Sequence, residues 1–327
     1  MKKIIVITIS CIILYSCKQK QKTVNLTSPK TAFSMLTIIA DQKGFFKKQD
    51  IDVNINYVKT GKIALDDLLG GNADFANIVE TNVAFAGFLN ANIEVYCNIE
   101  KVYDAGIVAR VDKGINTPKD LNGKKIGVLL ATTSQVYADR FLEKHGISKD
   151  SVELVNLLPP AMQSAIIEGS GVDAISIWQP YIYNVQKALG NENQVTFNDT
   201  EIFTGYMTLS GNKKFANENP EITEKLIKAY IEAEEYVKNN EKEAKTLISS
   251  FLNLPLETLE NIWKQYDLSI SLDQKLIDDT KAEGEWIIKT IDSYKNKSLP
   301  NYSQFFNSTY LEKVSPNKVK ILEAIEN

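Results

Sequence analysis

Twice along this chain the same order of elements recurs: a β-branched run, an amphipathic stretch, a second run, a second amphipathic stretch, then a Gly-to-Asp step into a third run. In the first passage the predicted strands are 23–27, 53–57 and 75–77, with helices over 31–42, 62–69 and 81–89. In the second the strands are 124–129, 152–156 and 174–177, with helices over 134–144 and 162–168. Alternation of strand-like and helix-like periods in this order predicts βα units on parallel strands. Gly44 lies 30 residues before Asp74, and Gly146 lies 27 before Asp173. Each glycine suits the left-handed position where a helix turns sharply into a strand and a Cβ would be strained. Two similar α/β lobes are expected.

Further strands are predicted at 93–97, 105–109 and 206–210. They place lobe 1 at 23–106 plus 206–327 and lobe 2 at 107–205, joined by two crossings near 103–109 and 200–206. Beyond 210 the composition shifts to amphipathic stretches rich in Glu and Lys, read as helices over 221–239, 241–252, 256–266, 273–294 and 316–325. This block is expected to pack outside the sheets with its charged faces in solvent.

The N-terminus reads as an address. Lys2 and Lys3 precede an almost wholly apolar run of twelve residues, 4–15, whereas a membrane-crossing helix needs about 20. A positive end, an apolar run of this length and a small residue before a cut site form the secretory signal pattern, so 1–16 is read as a signal peptide. Leu14-Tyr15-Ser16-Cys17 resembles the bacterial lipobox. That resemblance implies that Cys17 carries lipid and that 17–22 tether the folded body to a membrane on its extracytoplasmic side. The competing reading is a plain signal peptide. Two acyl chains anchor stably, since each buried methylene contributes about 0.8 kcal/mol. Cys11 leaves with the signal, so Cys97 has no cysteine to pair with.

Composition excludes several classes. The 327 residues, 44% hydrophobic and 24% charged, suffice for two packed lobes. With 37 basic against 41 acidic residues, the chain lacks the positive surplus that nucleic acid phosphates select, and no nucleic acid partner is expected. One histidine and three scattered cysteines supply neither a metal cluster nor a Ser/His or Cys/His triad, so no metal or cofactor is expected. His145, just before Gly146, is read as a surface residue at a helix C-terminus, favourable with the dipole when protonated.

Several phrases match one pattern: Asp41-Gln-Lys-Gly44-Phe45-Phe46, Gly71-Asn72-Ala73-Asp74-Phe75-Ala76, Thr117-Pro118-Lys119-Asp120-Leu121-Asn122-Gly123-Lys124-Lys125-Ile126-Gly127-Val128, and Val172-Asp173-Ala174 with Trp178-Gln179-Pro180. From about 23 to about 210 the chain resembles solute-binding proteins of ABC importers. The group it is most similar to serves nitrate, aliphatic sulfonates, taurine and thiamine-pyrimidine precursors. The resemblance implies a two-lobed periplasmic-binding-protein type 2 fold, each lobe a mostly parallel sheet flanked by helices, with two hinge crossings and a C-terminal helical block. It further implies a monomer that captures a small organic solute by lobe closure, performs no catalysis, and hands the solute to an ABC permease outside the cytoplasm. Departures from the family pattern fall at Ala131-Thr132-Thr133-Ser134, where a Gly-Ser pair is usual, at Gln179, where an acid is common, and at 169–173, which is one residue longer.

Parallel sheets place ligands at the C-terminal ends of their strands, where helix N-termini present unpaired N–H groups. Ser28 precedes the first helix, and either it or Thr31 caps that helix or faces a ligand. Glu80 and Thr81 open a helix after the third strand; Glu80 suits an ammonium or ring N–H, or else serves as a dipole-stabilising acid. Thr132, Thr133 and Ser134 open the first helix of lobe 2, one as N-cap and two free to bind a carboxylate, sulfonate or amide. Trp178, beside Gln179, is placed to stack on a flat or apolar solute, or else belongs to the core. Phe33, Tyr181 and Tyr206 are further aromatic candidates. The alternative functions are an enzyme on the same fold making a thiamine-type precursor, and a sensory lipoprotein that lost transport.

Overall fold

The computed structural model describes residues 23–321. The predicted signal peptide, Cys17, the tether before Thr23 and the end of the predicted helix at 316–325 lie outside the described residues.

Two sheets carry the fold. The first has six strands in the order β11-β4-β10-β3-β1-β2, and the second has five in the order β7-β6-β8-β5-β9. In the first, β1 (Thr23–Pro29) pairs in parallel with β2 (Asp52–Val58) and β3 (Phe75–Val79). Antiparallel to these neighbours, β10 (Gly205–Asn212) lies between β3 and β4 (Ile93–Val102), and β11 (Tyr266–Asp267) edges β4. In the second, β6 (Lys125–Val128), β7 (Glu153–Asn156) and β8 (Ala174–Ile177) are parallel. There β5 (Gly106–Arg110) runs against β8 and β9 (Gln194–Phe197).

The expectation of mostly parallel sheets is thus corrected to mixed ones, for a topological reason. β5 and β10 each begin where the chain has just crossed from the other sheet, so they run away from the crossing. The βα strands run toward it. The C-terminal ends of β1, β3 and β4 therefore face those of β6, β8 and β9 across the crossings.

Helices cover the faces between strands. α1 (Met35–Gln42) and α2 (Phe45–Lys48) follow β1, α3 (Gly61–Leu69) follows β2, and α4 (Glu80–Phe88) follows β3. In the second sheet α5 (Thr133–Lys144) follows β6, α6 (Pro159–Glu168) follows β7, and α7 (Tyr181–Leu189) follows β8. One face of that sheet buries Val108, Ile175 and Ile177 against Met162, Ile166 and Val185. Gly44 and Gly146 take φ of 71° and 65°, the left-handed turn that each helix exit requires.

The Gly-to-Asp echo has a physical counterpart. Asp74 accepts the Asn25 N–H at 2.9 Å and returns its own N–H to the Asn25 carbonyl at 2.9 Å. Asp173 does the same with Lys125, at 2.9 and 2.8 Å. Each aspartate pins the start of a third strand to the start of a first one.

Some predicted elements differ. The segment 31–42 is a 3-10 turn over Ala32–Ser34 followed by α1, because Glu100 of β4 accepts the Leu36 N–H at 2.7 Å and fixes where the helix starts. The predicted helix at 316–325 is instead a 3-10 turn at Pro316–Lys318 leading into β13 (Val319–Lys320), which pairs with β12 (Leu272–Asp273). Lys318 reaches the buried Glu234 at 2.7 Å and holds that segment against the block. Helix 256–266 ends as α11 (Leu256–Ile262), and helix 273–294 is α12 (Gln274–Thr290). The rest of the block is α8 (Lys213–Glu218), α9 (Pro220–Asn239), α10 (Glu241–Leu252) and α13 (Thr309–Val314). α7, β9, α2, α8 and α13 were not predicted.

Candidate functional site

The wall formed by the second sheet is built on two serines. Ser134 donates to the Ser176 carbonyl at 2.6 Å and accepts from the Leu129 N–H at 3.0 Å, while Ser176 donates back to the Ser134 carbonyl at 2.8 Å. This stitches the start of α5 to the end of β8, two residues before Trp178. Thr132 is the N-cap, accepting from Ser134 N at 3.3 Å and donating to the Leu129 carbonyl at 2.7 Å. Of the three consecutive hydroxyls, only that of Thr133 has no partner among the described residues. Ala131 sits in the left-handed region, φ 57°, held by its N–H on Gln135 Oε1 at 2.8 Å; it opens the stretch 131–134, where the resemblance leads one to expect a Gly-Ser pair.

The Trp178 side chain, half-buried just past the end of β8, has no hydrogen-bond or ring partner among the described residues, while its carbonyl accepts the Ile182 N–H at 3.4 Å. Gln179 is turned to structure, since its Oε1 accepts the Tyr183 N–H at 3.0 Å and caps α7. Tyr181 is half-buried, and desolvation raises its phenol.

On the wall of the first sheet, Ser28 is fully buried at the end of β1, and its hydroxyl has no partner among the described residues. Thr31 caps the 3-10 turn by accepting from Phe33 N at 3.2 Å. Phe33 packs over the return crossing. A Cβ on Gly205 would come within 3.3 Å of the Phe33 and Phe203 rings and 2.7 Å of Val102, so only glycine fits there. Glu100, absent from the sequence reading, is fully buried beneath this wall, and burial pushes its carboxyl well above the usual range. Its only signal in the sequence is an acid inside an otherwise strand-like stretch.

Glu80, Thr81 and Tyr206 are brought together, but into a buried network at the crossing. Glu80 Oε2 accepts the Tyr206 N–H at 2.6 Å, Thr81 donates to Glu80 Oε1 at 3.4 Å, and the Tyr206 phenol donates to Asp279 of α12 at 3.0 Å. Burial and the neighbouring Glu283 raise the Glu80 carboxyl. His145 caps the C-terminus of α5 with its ring 4.4 Å from that of Phe141.

Beside the crossings lies an open cavity of about 580 Å³, lined in part by Tyr103, Gln179, Gln186, Asn198, Lys264 and Gln265. Gln265 Oε1 is buried there without a hydrogen-bond partner among the described residues. Asp104, in the first crossing, is pushed up to about 7 by burial and accepts the Tyr266 phenol at 2.9 Å.

Comparison with known proteins agrees with this architecture. The chain is 28% identical over 200 residues to the taurine-binding periplasmic protein of Escherichia coli, covering 60% of this chain and 61% of that protein. Among solved structures it is similar to the periplasmic aliphatic sulphonate binding protein SsuA of Escherichia coli, with a TM-score of 0.76 at 18% identity over 87% of this chain and 97% of that one. The periplasmic nitrate-binding protein NrtA of Synechocystis PCC 6803 gives a TM-score of 0.66 at 13% identity, covering 91% and 89%. These likenesses establish the two-lobed periplasmic-binding-protein fold. The family described as NMT1/THI5 like matches residues 33–244, which take in strands of both sheets and both crossings; the chain belongs to that family.

Proposed function

We propose that this chain is an extracytoplasmic solute-binding lipoprotein of an ABC importer, which traps a small organic solute by closing its lobes and hands it to a permease. The observation that carries this reading is the convergence of the strand ends of both sheets on two crossings, where the Thr133 and Trp178 side chains have no hydrogen-bond partner among the described residues. Parallel strand ends flanked by helix N-termini are where such folds hold ligands. The sulfonate, taurine and nitrate named for its relatives support a sulfonate, amine or heteroaromatic solute.

In this reading Thr133 supplies a hydroxyl and a helix N-terminal N–H, Trp178 a stacking face, Phe33 the floor and Ser28 a polar contact. Thr132, Ser134 and Gln179 hold that wall in place, and Glu80, Thr81 and Tyr206 brace the crossing behind it. Binding without catalysis is favoured by the surroundings of the reactive side chains. The Cys97 thiol is fully buried and pushed up by desolvation, and His145 stands at the far end of α5.

Isothermal titration of the folded full chain in detergent against alkanesulfonates, taurine, amines and aminopyrimidines tests the reading. One-site binding by a member of the panel supports it; no heat from any member, or turnover of one, overturns it. Anchoring is tested separately. No helix among the described residues is long and apolar enough to cross a membrane; in this reading the anchor is the lipid on Cys17. Replacing Cys17→Ser is expected to abolish incorporation of labelled palmitate and to release the protein from the membrane fraction.

A further inference from the structure

The solute site proposed above makes no use of the cavity beside the crossings. From lobe 2 it is lined by Gln179 and Gln186, before and within α7, and by Asn198, just after β9. From the other side come Lys264 and Gln265, in a 3-10 turn (Trp263–Gln265) that leads from α11 into β11. Tyr103 and Thr200 join it from the two crossings. Its volume of about 580 Å³ falls within the range of about 300–1,000 Å³ that small-molecule sites occupy.

Hydrogen bonds set the lining in place. The Tyr183 phenol of α7 donates to Glu257 of α11 at 2.9 Å, Lys187 reaches the same carboxylate at 3.1 Å, and Asn261 donates to the Tyr183 oxygen at 3.4 Å. These contacts tie α7 to the helix that runs directly into the turn holding Lys264 and Gln265. Gln186 donates to the Thr196 hydroxyl at 2.9 Å, and the Tyr103 N–H donates to the Gln265 carbonyl at 2.9 Å. Two groups of the turn stay unmatched. Lys264 is exposed and has no ion pair among the described residues. Gln265 Oε1 is buried with no hydrogen-bond partner among them. None of the described residues that line the cavity is an acid. Asp104 and Asp199, which adjoin lining residues in the chain, are engaged by the Tyr266 phenol and by Lys144.

The two unmatched groups select the chemistry of a guest. A buried acceptor without a donor is costly, and a hydroxyl on the guest supplies the donor. A lysine ammonium with no ion-pair partner favours a carboxylate, and the hydrogen bond between them is charge-assisted. We propose that the cavity is a second binding site, which takes a small hydroxycarboxylate: Lys264 holds the carboxylate, Gln265 Oε1 accepts from a hydroxyl, and the Gln179 and Asn198 amides complete the polar lining. An alkanesulfonate has no hydroxyl to offer Gln265, and the ammonium of taurine would face that of Lys264, so this site is distinct from the solute site in what it takes. A guest that binds only the folded chain raises its melting temperature by mass action. The site requires no movement of the lobes.

The test titrates the full chain in detergent with lactate, malate and gluconate, each against the counterpart that lacks its hydroxyls: propionate, succinate and hexanoate. At least one hydroxy acid is expected to saturate one site, to bind about tenfold tighter than its counterpart and to raise the melting temperature. Lys264→Gln, at an exposed position whose folding circular dichroism checks, is expected to weaken that binding about tenfold. Gln265→Met is expected to bring the hydroxy acid down to the affinity of its counterpart, and Trp178→Ala to change nothing. No saturation by any of the three, or equal affinity for every acid and its counterpart, overturns the site. Binding that Trp178→Ala removes and Lys264→Gln leaves intact also overturns it, because the guest then lies in the cleft. Taurine and an alkanesulfonate titrated alongside separate the two ideas. Either of them bound with no hydroxy acid bound sinks this site and leaves the solute reading standing; a hydroxy acid lost in Lys264→Gln, with no solute bound by any member of the wider panel, does the reverse.

Discussion

Ser134 and Ser176 each donate a hydroxyl hydrogen bond to the other's carbonyl, at 2.6 and 2.8 Å, although they lie 42 residues apart. The exchange joins the start of α5 to the end of β8. It sets Thr133 and Trp178 on one rigid wall instead of on two independent loops.

Ser134→Ala removes one half of this exchange and takes the Ser134 hydroxyl from the Leu129 N–H and the Ser176 carbonyl, while the Ser176 hydroxyl keeps its bond to the carbonyl of residue 134. Loss of a buried polar partner costs about 1–3 kcal/mol, so a fall of that size in unfolding free energy in urea is expected. A change below about 0.5 kcal/mol would show that the wall does not depend on it.

Trp178→Ala and Thr133→Ala should behave oppositely to Ser134→Ala. Neither side chain has a protein hydrogen-bond or ring partner among the described residues, so thermal stability should hardly move while solute affinity falls. A central aromatic anchor is worth about 2 kcal/mol, or roughly thirtyfold in Kd; the threonine hydroxyl is worth about 1 kcal/mol. Unchanged calorimetric affinity in both variants would place the solute elsewhere.

The paired aspartates predict a matched effect in the two lobes. Asp74→Ala and Asp173→Ala each remove a carboxylate that accepts a strand N–H, in partly exposed settings. Each is expected to cost about 1 kcal/mol, and the two costs should add because the sites are independent. Strong non-additivity in the double variant would contradict the reading of two separate pins.

Asp104 predicts a pH dependence of stability with a definite sign. Its folded-state value, about 7, lies above the ~3.9 of an aspartate in an unfolded chain. Its contribution is therefore complete below the unfolded value and is lost as pH rises through the folded one. Urea midpoints at about pH 5 and pH 8 should drop less for Asp104→Asn than for the parent protein. Equal drops would show that this carboxyl is not a source of the loss.

Much of the strand-and-helix order was readable because periodicity is local: the runs at 23–27, 53–57 and 174–177, the glycine exits at 44 and 146 and the aspartates at 74 and 173 all carry their signal within a few residues. The same local character made the 316–325 stretch look helical, when its amphipathic pattern is overridden by pairing of Val319 with Leu272 and by Lys318 on Glu234.

The sequence by itself therefore determined that the chain alternates strands and helices in two passages, that sharp turns fall at particular glycines, and that hydroxyls and an indole stand where strands meet helices. Only the tertiary structure decided which of those groups are already engaged. Glu80 is bound by Tyr206, 126 residues away, and lies against Glu283 of a still later helix. Glu100 caps a helix 64 residues before it. Such partners are chosen by burial, where a polar group must find a hydrogen bond wherever the packed chain presents one. No spacing along the chain records that choice.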